Sequence, residues 1–176
     1  MPPQRILAAT VISAAMILGA WRQGPADTAT RPLPSPRATA PDACSLLTVG
    51  EVSAALEVSA QPGKRLIEAS PAACIWSTDP DNTLRGRRVT LSIIPVAGFE
   101  FGKSGANPKI TIVPVNGIGD EAYYEVFKSD SPFLVVRKGG TAFTLRILNG
   151  LKLKSFSLDQ EKAKEADLGR SAAARL

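Results

Sequence analysis

A chain of 176 residues with 44% hydrophobic and 21% charged residues has the composition of one globular domain, which excludes an intrinsically disordered chain and a multi-span membrane protein. It contains no histidine and two cysteines, so Ser-His-Asp or Cys-His catalysis and His-ligated zinc or haem cannot be assembled within it. The formal charge of +5 is lopsided: Arg5, Arg22, Arg31 and Arg37 face a single acid, Asp27, before residue 42, and the 17 basic and 15 acidic residues of Asp42 to Leu176 leave only +2.

Met1 to Arg5 carries one positive charge, and Ile6 to Trp21 (ILAATVISAAMILGAW) is an uncharged, mainly apolar run of 16 residues. A membrane-spanning helix needs about 17 to 25 apolar residues, so the run is short for a permanent span and suits the core of an export signal. Residues 1–21 are therefore expected to act as a signal peptide or weak signal anchor, with membrane association through residues 6–21. Cleavage after Ala20, or after Ala26 with Gly24 at the −3 position, would release a soluble protein, and failure to cleave would leave a weak signal anchor; export is expected with either outcome. Residues 22–41 (RQGPADTATRPLPSPRATAP) are rich in Pro, Ala and Thr and lack apolar periodicity. Proline removes amide donors and favours extended chain, so this segment reads as a tether.

Residues 42–176 are expected to form the domain. Cys44 and Cys74 are the only thiols, and a lone pair in an exported protein most simply closes one disulfide. Their spacing is not C-x-x-C and no histidine completes a zinc set, so no metal or cofactor is expected there. Thr48 with Glu51 three residues on makes a capping box, and Leu47 with Val52 a hydrophobic staple; a short helix over 49–57 follows, with Val52, Ala55 and Leu56 inward.

From Lys64 to Leu148 short β-rich runs alternate with Gly, Pro and Asn. Expected strands are Arg65–Ala69, Ala73–Ser77, Arg88–Val96, Lys109–Val115, Ala122–Phe127, Phe133–Lys138 and Ala142–Leu148. Arg85, Arg87 and Arg88 form the tightest basic cluster, but no aromatic residue is interleaved, which fits a solvated loop and argues against nucleic acid as a partner. Asp79, Asp81 and Asn82 lack the glycine and terminal glutamate of a calcium loop and read as a turn. In the last strand Phe143, Leu145 and Ile147 alternate with Thr144 and Arg146, and Gly139-Gly140 before it can take the positive φ of a tight hairpin. Pro95 and Pro114 point to strand edges or bulges. Ser157 and Gln160 make a second capping box, opening a C-terminal helix over 158–176. Ala163, Ala166, Ala173 and Leu176 are expected on its packed stripe and Lys162, Lys164, Glu165 and Arg170 on a solvated face.

Four landmarks stand in order: Asp42-x-Cys44-Ser45-Leu46-Leu47-Thr48 with Glu51-Val52 and Leu56; Ala73-Cys74-Ile75-Trp76; Val115-Asn116-Gly117-Ile118-Gly119-Asp120-Glu121-Ala122; and a closing helix that ends in Leu176. Over 42–176 the chain thereby resembles a family of small exported actinobacterial, mycobacterial-type envelope lipoproteins that share a domain of unknown function. The resemblance implies an α+β domain whose antiparallel sheet is flanked by a short N-terminal and a C-terminal helix, a Cys44–Cys74 bridge and an envelope location. It implies no activity. The chain departs from the family at Trp21, where the lipid-bearing cysteine is expected, so there is no thiol to acylate.

No G-x-S-x-G, G-x-x-x-x-G-K-[ST] or G-x-G-x-x-G motif occurs. Asp120 and Glu121 beside Gly119 are the carboxylate pair on which a hydrolase reading would rest, although a tight turn accounts for them. Tyr123 and Tyr124 must point to opposite sides of a strand, leaving one available at a surface. Asp120, Glu121 and Tyr124 are accordingly the candidate functional surface. Trp76 is expected to pack on the disulfide. The function expected is non-enzymatic: an exported cell-envelope domain, secreted or at the outer face of the cytoplasmic membrane, that binds a protein, lipid or wall-polymer partner. An accessory or sensory domain of an envelope signalling or secretion complex and a carboxylate-dependent hydrolase are the alternatives.

Overall fold

The computed structural model describes residues 41–81, 85–105, 107–127, 132–150 and 155–176. The expected signal segment, all of the tether but Pro41, and Asn82 lie outside the described residues. Seven strands, β1 (Lys64–Ile67), β2 (Ser70–Ser77), β3 (Arg88–Ile94), β4 (Ile110–Val115), β5 (Glu121–Phe127), β6 (Phe133–Lys138) and β7 (Thr141–Leu148), form one sheet in the order β1-β2-β3-β7-β6-β5-β4. Every neighbouring pair is antiparallel. With helices α1 (Val49–Leu56), α2 (Val96–Lys103) and α3 (Leu158–Ala173) the domain is α+β, as expected.

Local chemistry sets both flanking helices. Thr48 accepts from the Glu51 amide while Glu51 accepts from the Thr48 amide, and Ser157 and Gln160 do the same for α3. The β6–β7 hairpin closes with Lys138 opposite Thr141. Only Gly139, at φ +56°, takes the left-handed conformation; a positive φ at the first central residue alone is the mark of a type II′ turn, so Gly140 does not need one. Pro114 lies in the edge strand β4, where its missing N–H faces no partner strand. At the other edge β1 and β2 form a hairpin with Ile67 opposite Ser70, so β2 starts at Ser70 rather than Ala73. The Cys44–Cys74 disulfide joins the turn before α1 to the centre of β2, and Trp76 is buried beside it.

The unexpected element is α2. The expected third strand ended at Val96, but the strand stops at Ile94 and Val96 opens a helix behind Pro95. Topology explains why a covering segment is required there. β3 lies mid-sheet and β4 at the far edge, so the connection must cross β7, β6 and β5, about 19 Å at the usual strand spacing. It crosses on the face opposite α1 and α3. There Phe99 of α2 is buried with Tyr123, Val135 and Ala142. The opposite face holds the main core, in which Val52, Leu56, Leu168 and Ala172 of the helices pack on Trp76, Leu91, Leu134, Phe143, Leu145 and Ile147.

The stripe of α3 also differs from the expected one. Ala163 and Leu176 are exposed, and the buried residues are Glu161, Glu165, Leu168, Gly169, Ala172 and Ala173. That set recurs at the 3.6-residue period once two glutamates are counted into it. A Cβ on Gly169 would stand 2.5 Å from Leu134 Cδ2, so glycine lets the helix sit close on β6.

Candidate functional site

The turn that carries Asp120 and Glu121 is held by its own surroundings. Gly117 (φ +77°) and Gly119 (φ +59°) take left-handed conformations, which tuck Ile118 into the main core. A Cβ on Gly119 would meet the Arg137 carbonyl oxygen at 2.5 Å. The Asp120 carboxylate accepts from the Gly139 amide at 2.7 Å and from Lys138 Nζ at 3.0 Å, and these bonds keep it below the usual carboxylate range. Glu121 pairs with Lys103 of α2 and with Arg137 at 3.3 Å, with the same effect. Each carboxylate is thus held in ion pairs, Asp120 with Lys138 and Glu121 with Lys103 and Arg137. Asp79 likewise accepts from the Asp81 amide at 3.0 Å, the geometry of a turn.

Neither tyrosine is available at a surface. The two rings do point to opposite faces, but each face is covered. Tyr124 is 4% exposed and its hydroxyl donates to the Lys162 carbonyl at 2.5 Å; Tyr123 is buried under α2 and its hydroxyl donates to the Phe99 carbonyl at 2.9 Å. Burial raises both phenols above their ordinary pKa. Tyr124 therefore belongs to the core and not to a binding surface, because α3 lies across it.

Glu165, expected in solvent, is 0% exposed. Its Oε1 accepts from the Ile147 amide at 2.8 Å, and Oε2 has no partner. Burial, together with nearby Glu161, pushes its carboxyl up to about 9 against the opposing Ile147 bond and the charges of Arg146 and Lys162. At neutral pH it is an uncharged acid on the sheet-facing side of α3. Nearby Asn149 Nδ2 donates to Glu161 Oε1 at 2.5 Å. The basic cluster is divided as well. Arg87 donates to the Leu56 carbonyl at 2.8 Å and lies over the Phe156 ring, while Arg88 occupies the opposite face of β3, where burial and repulsion by Arg146 lower its pKa.

A cleft that combines, among the described residues, an exposed aromatic ring, an apolar wall and an unpaired charge was not legible in the sequence. It lies between α2 and the β4–β5 end of the sheet, has a volume of about 420 Å³, and is lined by Gly98, Phe101 and Gly102 of α2, Gly105, Asn107, Ile110 and Glu125. Phe101 is 73% exposed. Among the described residues the Glu125 carboxylate has no hydrogen bond and no ion pair, and burial raises its pKa. Lys103 is turned to Glu121, and Arg137 to Glu121 and the Phe99 ring. The glycines at 98 and 102, four apart on one helix face, are the only sequence signal of the cleft. A Cβ at Gly102 would lie 2.5 Å from both Glu125 Oε1 and the Tyr123 hydroxyl. No second carboxylate lines the cleft, and no three His, Cys, Asp or Glu side chains among the described residues converge as metal ligands. Chemically, the cleft can bind an apolar group and one positive charge.

The chain matches no family model, no curated protein and no solved structure in comparisons with each.

Proposed function

We propose that this chain is a non-enzymatic domain, exported to the cell envelope, that binds an envelope component through the cleft beside α2. Two lines support export: the signal-like run at residues 6–21 and a disulfide of the kind that persists in oxidising compartments. Support for the envelope comes from the resemblance to exported envelope lipoproteins that the Cys44, Cys74-x-Trp76 and Gly117-to-Ala122 landmarks carry. The observation that carries binding is the cleft itself, where Phe101 stands in solvent beside a carboxylate with no counter-ion among the described residues. Exposed aromatic rings next to desolvated polar groups are the usual anchors of recognition surfaces.

The test uses the full chain, in detergent, on immobilised envelope fractions from an exporting host. Wild type should be retained, and Phe101→Asp should lower retention at least about fivefold with an unchanged melting temperature, since an exposed side chain adds little to stability. Equal retention of the two proteins refutes the assignment of the cleft.

A further inference from the structure

We propose that the cleft between α2 and the β4–β5 end of the sheet is an organic ammonium site: a cationic amine sits on the Glu125 carboxylate and its apolar body lies against Phe101 and Ile110. The proposal rests on the binding reading above and adds the charge and class of the ligand.

Among the described residues the lining contains one ionisable group, Glu125. On β5 that side chain stands opposite Ile112 of β4 and Phe133 of β6, so its strand neighbours are apolar. The closest hydroxyl, that of Tyr123, gives its proton to the Phe99 carbonyl and offers the carboxylate none. Lys103 and Arg137 are paired with Glu121, and Arg146 lies over the ring of Phe133. A partly buried carboxylate without donor or counter-ion is unfavourable in the free protein, and a ligand cation relieves that cost. An anion would be repelled, and a neutral ligand would leave the carboxylate unpaired.

The walls fit the rest of an amine. Gly98, Gly102 and Gly105 put no side chain into the space, and any side chain at 102 would collide with the Glu125 carboxylate. Phe101 offers a solvent-facing ring at the cleft edge, to which an ammonium group or its adjoining methylenes are attracted. The volume of about 420 Å³ takes a body the size of a benzyl group or a lysine side chain and is too small for a folded segment.

The experiment is a chemical-shift titration of the full chain in nonionic detergent with benzylammonium, and with benzyl alcohol as its neutral counterpart. Benzylammonium should shift the amides of Gly98, Phe101, Gly102 and Glu125 with millimolar affinity, and benzyl alcohol should bind at least about tenfold more weakly. Glu125→Gln should weaken benzylammonium by at least about tenfold and leave benzyl alcohol unchanged, which separates loss of charge from damage to the cleft. A Leu-Lys-Leu peptide with blocked termini distinguishes the sources of the amine. Binding at least about tenfold tighter than benzylammonium assigns the site to a lysine side chain, and equal or weaker binding assigns it to a free amine. Equal affinity for benzylammonium and benzyl alcohol, or a Glu125→Gln protein that binds benzylammonium as wild type does, overturns the proposal. If that occurs while Phe101→Asp still abolishes envelope retention, only the ligand class is wrong. If Phe101→Asp also has no effect, the cleft is not a binding site at all.

Discussion

Two glutamates, Glu165 and Glu125, measure how differently the two faces of this sheet are finished. Both are partly or wholly removed from water, and burial raises both carboxyls. Glu165 lies on the sheet-facing side of α3, in a face closed by two helices, the disulfide and Trp76, and nothing from outside reaches it. Glu125 lies beside an eight-residue helix that covers only part of the other face, with a cleft in front of it. The same physical penalty is therefore locked into the fold on one side and open to relief by a ligand on the other. A sheet with one sealed face can tolerate an unfinished second one, because most of its stability comes from the sealed side.

The largest effect should come from titrating the sealed side. The unfolded chain releases the Glu165 proton above about pH 4.5, whereas the folded chain keeps it to about pH 9. Unfolding free energy should therefore fall as pH rises between these values and level off above them, by up to about 6 kcal/mol if the group ionised in place. Glu165→Gln should flatten that slope in urea melts at pH 5, 7 and 9; an unchanged slope would show that the carboxyl finds water without unfolding.

Next in size is a contrast between two phenylalanines. Phe143→Ala on the sealed face, where the ring is fully buried, should cost about 3–5 kcal/mol, and Phe101→Ala on the open face less than about 0.5 kcal/mol, both read from denaturant melts. Comparable losses would mean that α2 seals its face more completely than the exposure of Phe101 indicates.

The smallest effect concerns the turn that links β4 to β5. Gly119→Ala should lower stability by at least about 1 kcal/mol, because the new Cβ meets the Arg137 carbonyl in a left-handed conformation. Asp120→Asn should be milder, since the Gly139 amide still finds an oxygen acceptor. The reverse order in thermal melts would make the Asp120 charge, and not the backbone, the determinant of the turn.

Sequence alone determined the parts whose causes are local. Capping boxes at Thr48 and Ser157, the alternation of Phe143, Leu145 and Ile147, the hairpin glycine at 139 and the left-handed Gly119 are each specified by residues within a few positions of one another. The disulfide could be read because only two cysteines exist to form it. Tertiary structure decided the rest. In Val96–Lys103, Phe99 and Phe101 are two apart, the spacing of one strand face, yet in a helix they point away from each other, one buried and one exposed. Two glycines and no side-chain cap made that helix invisible locally; it forms because the β3–β4 connection must cross the sheet there. Glu165 and Tyr124 failed as surface residues for the same reason. A charged or amphipathic side chain carries no local mark of which element will lie on top of it, and burial is settled only when strands distant in sequence choose their neighbours.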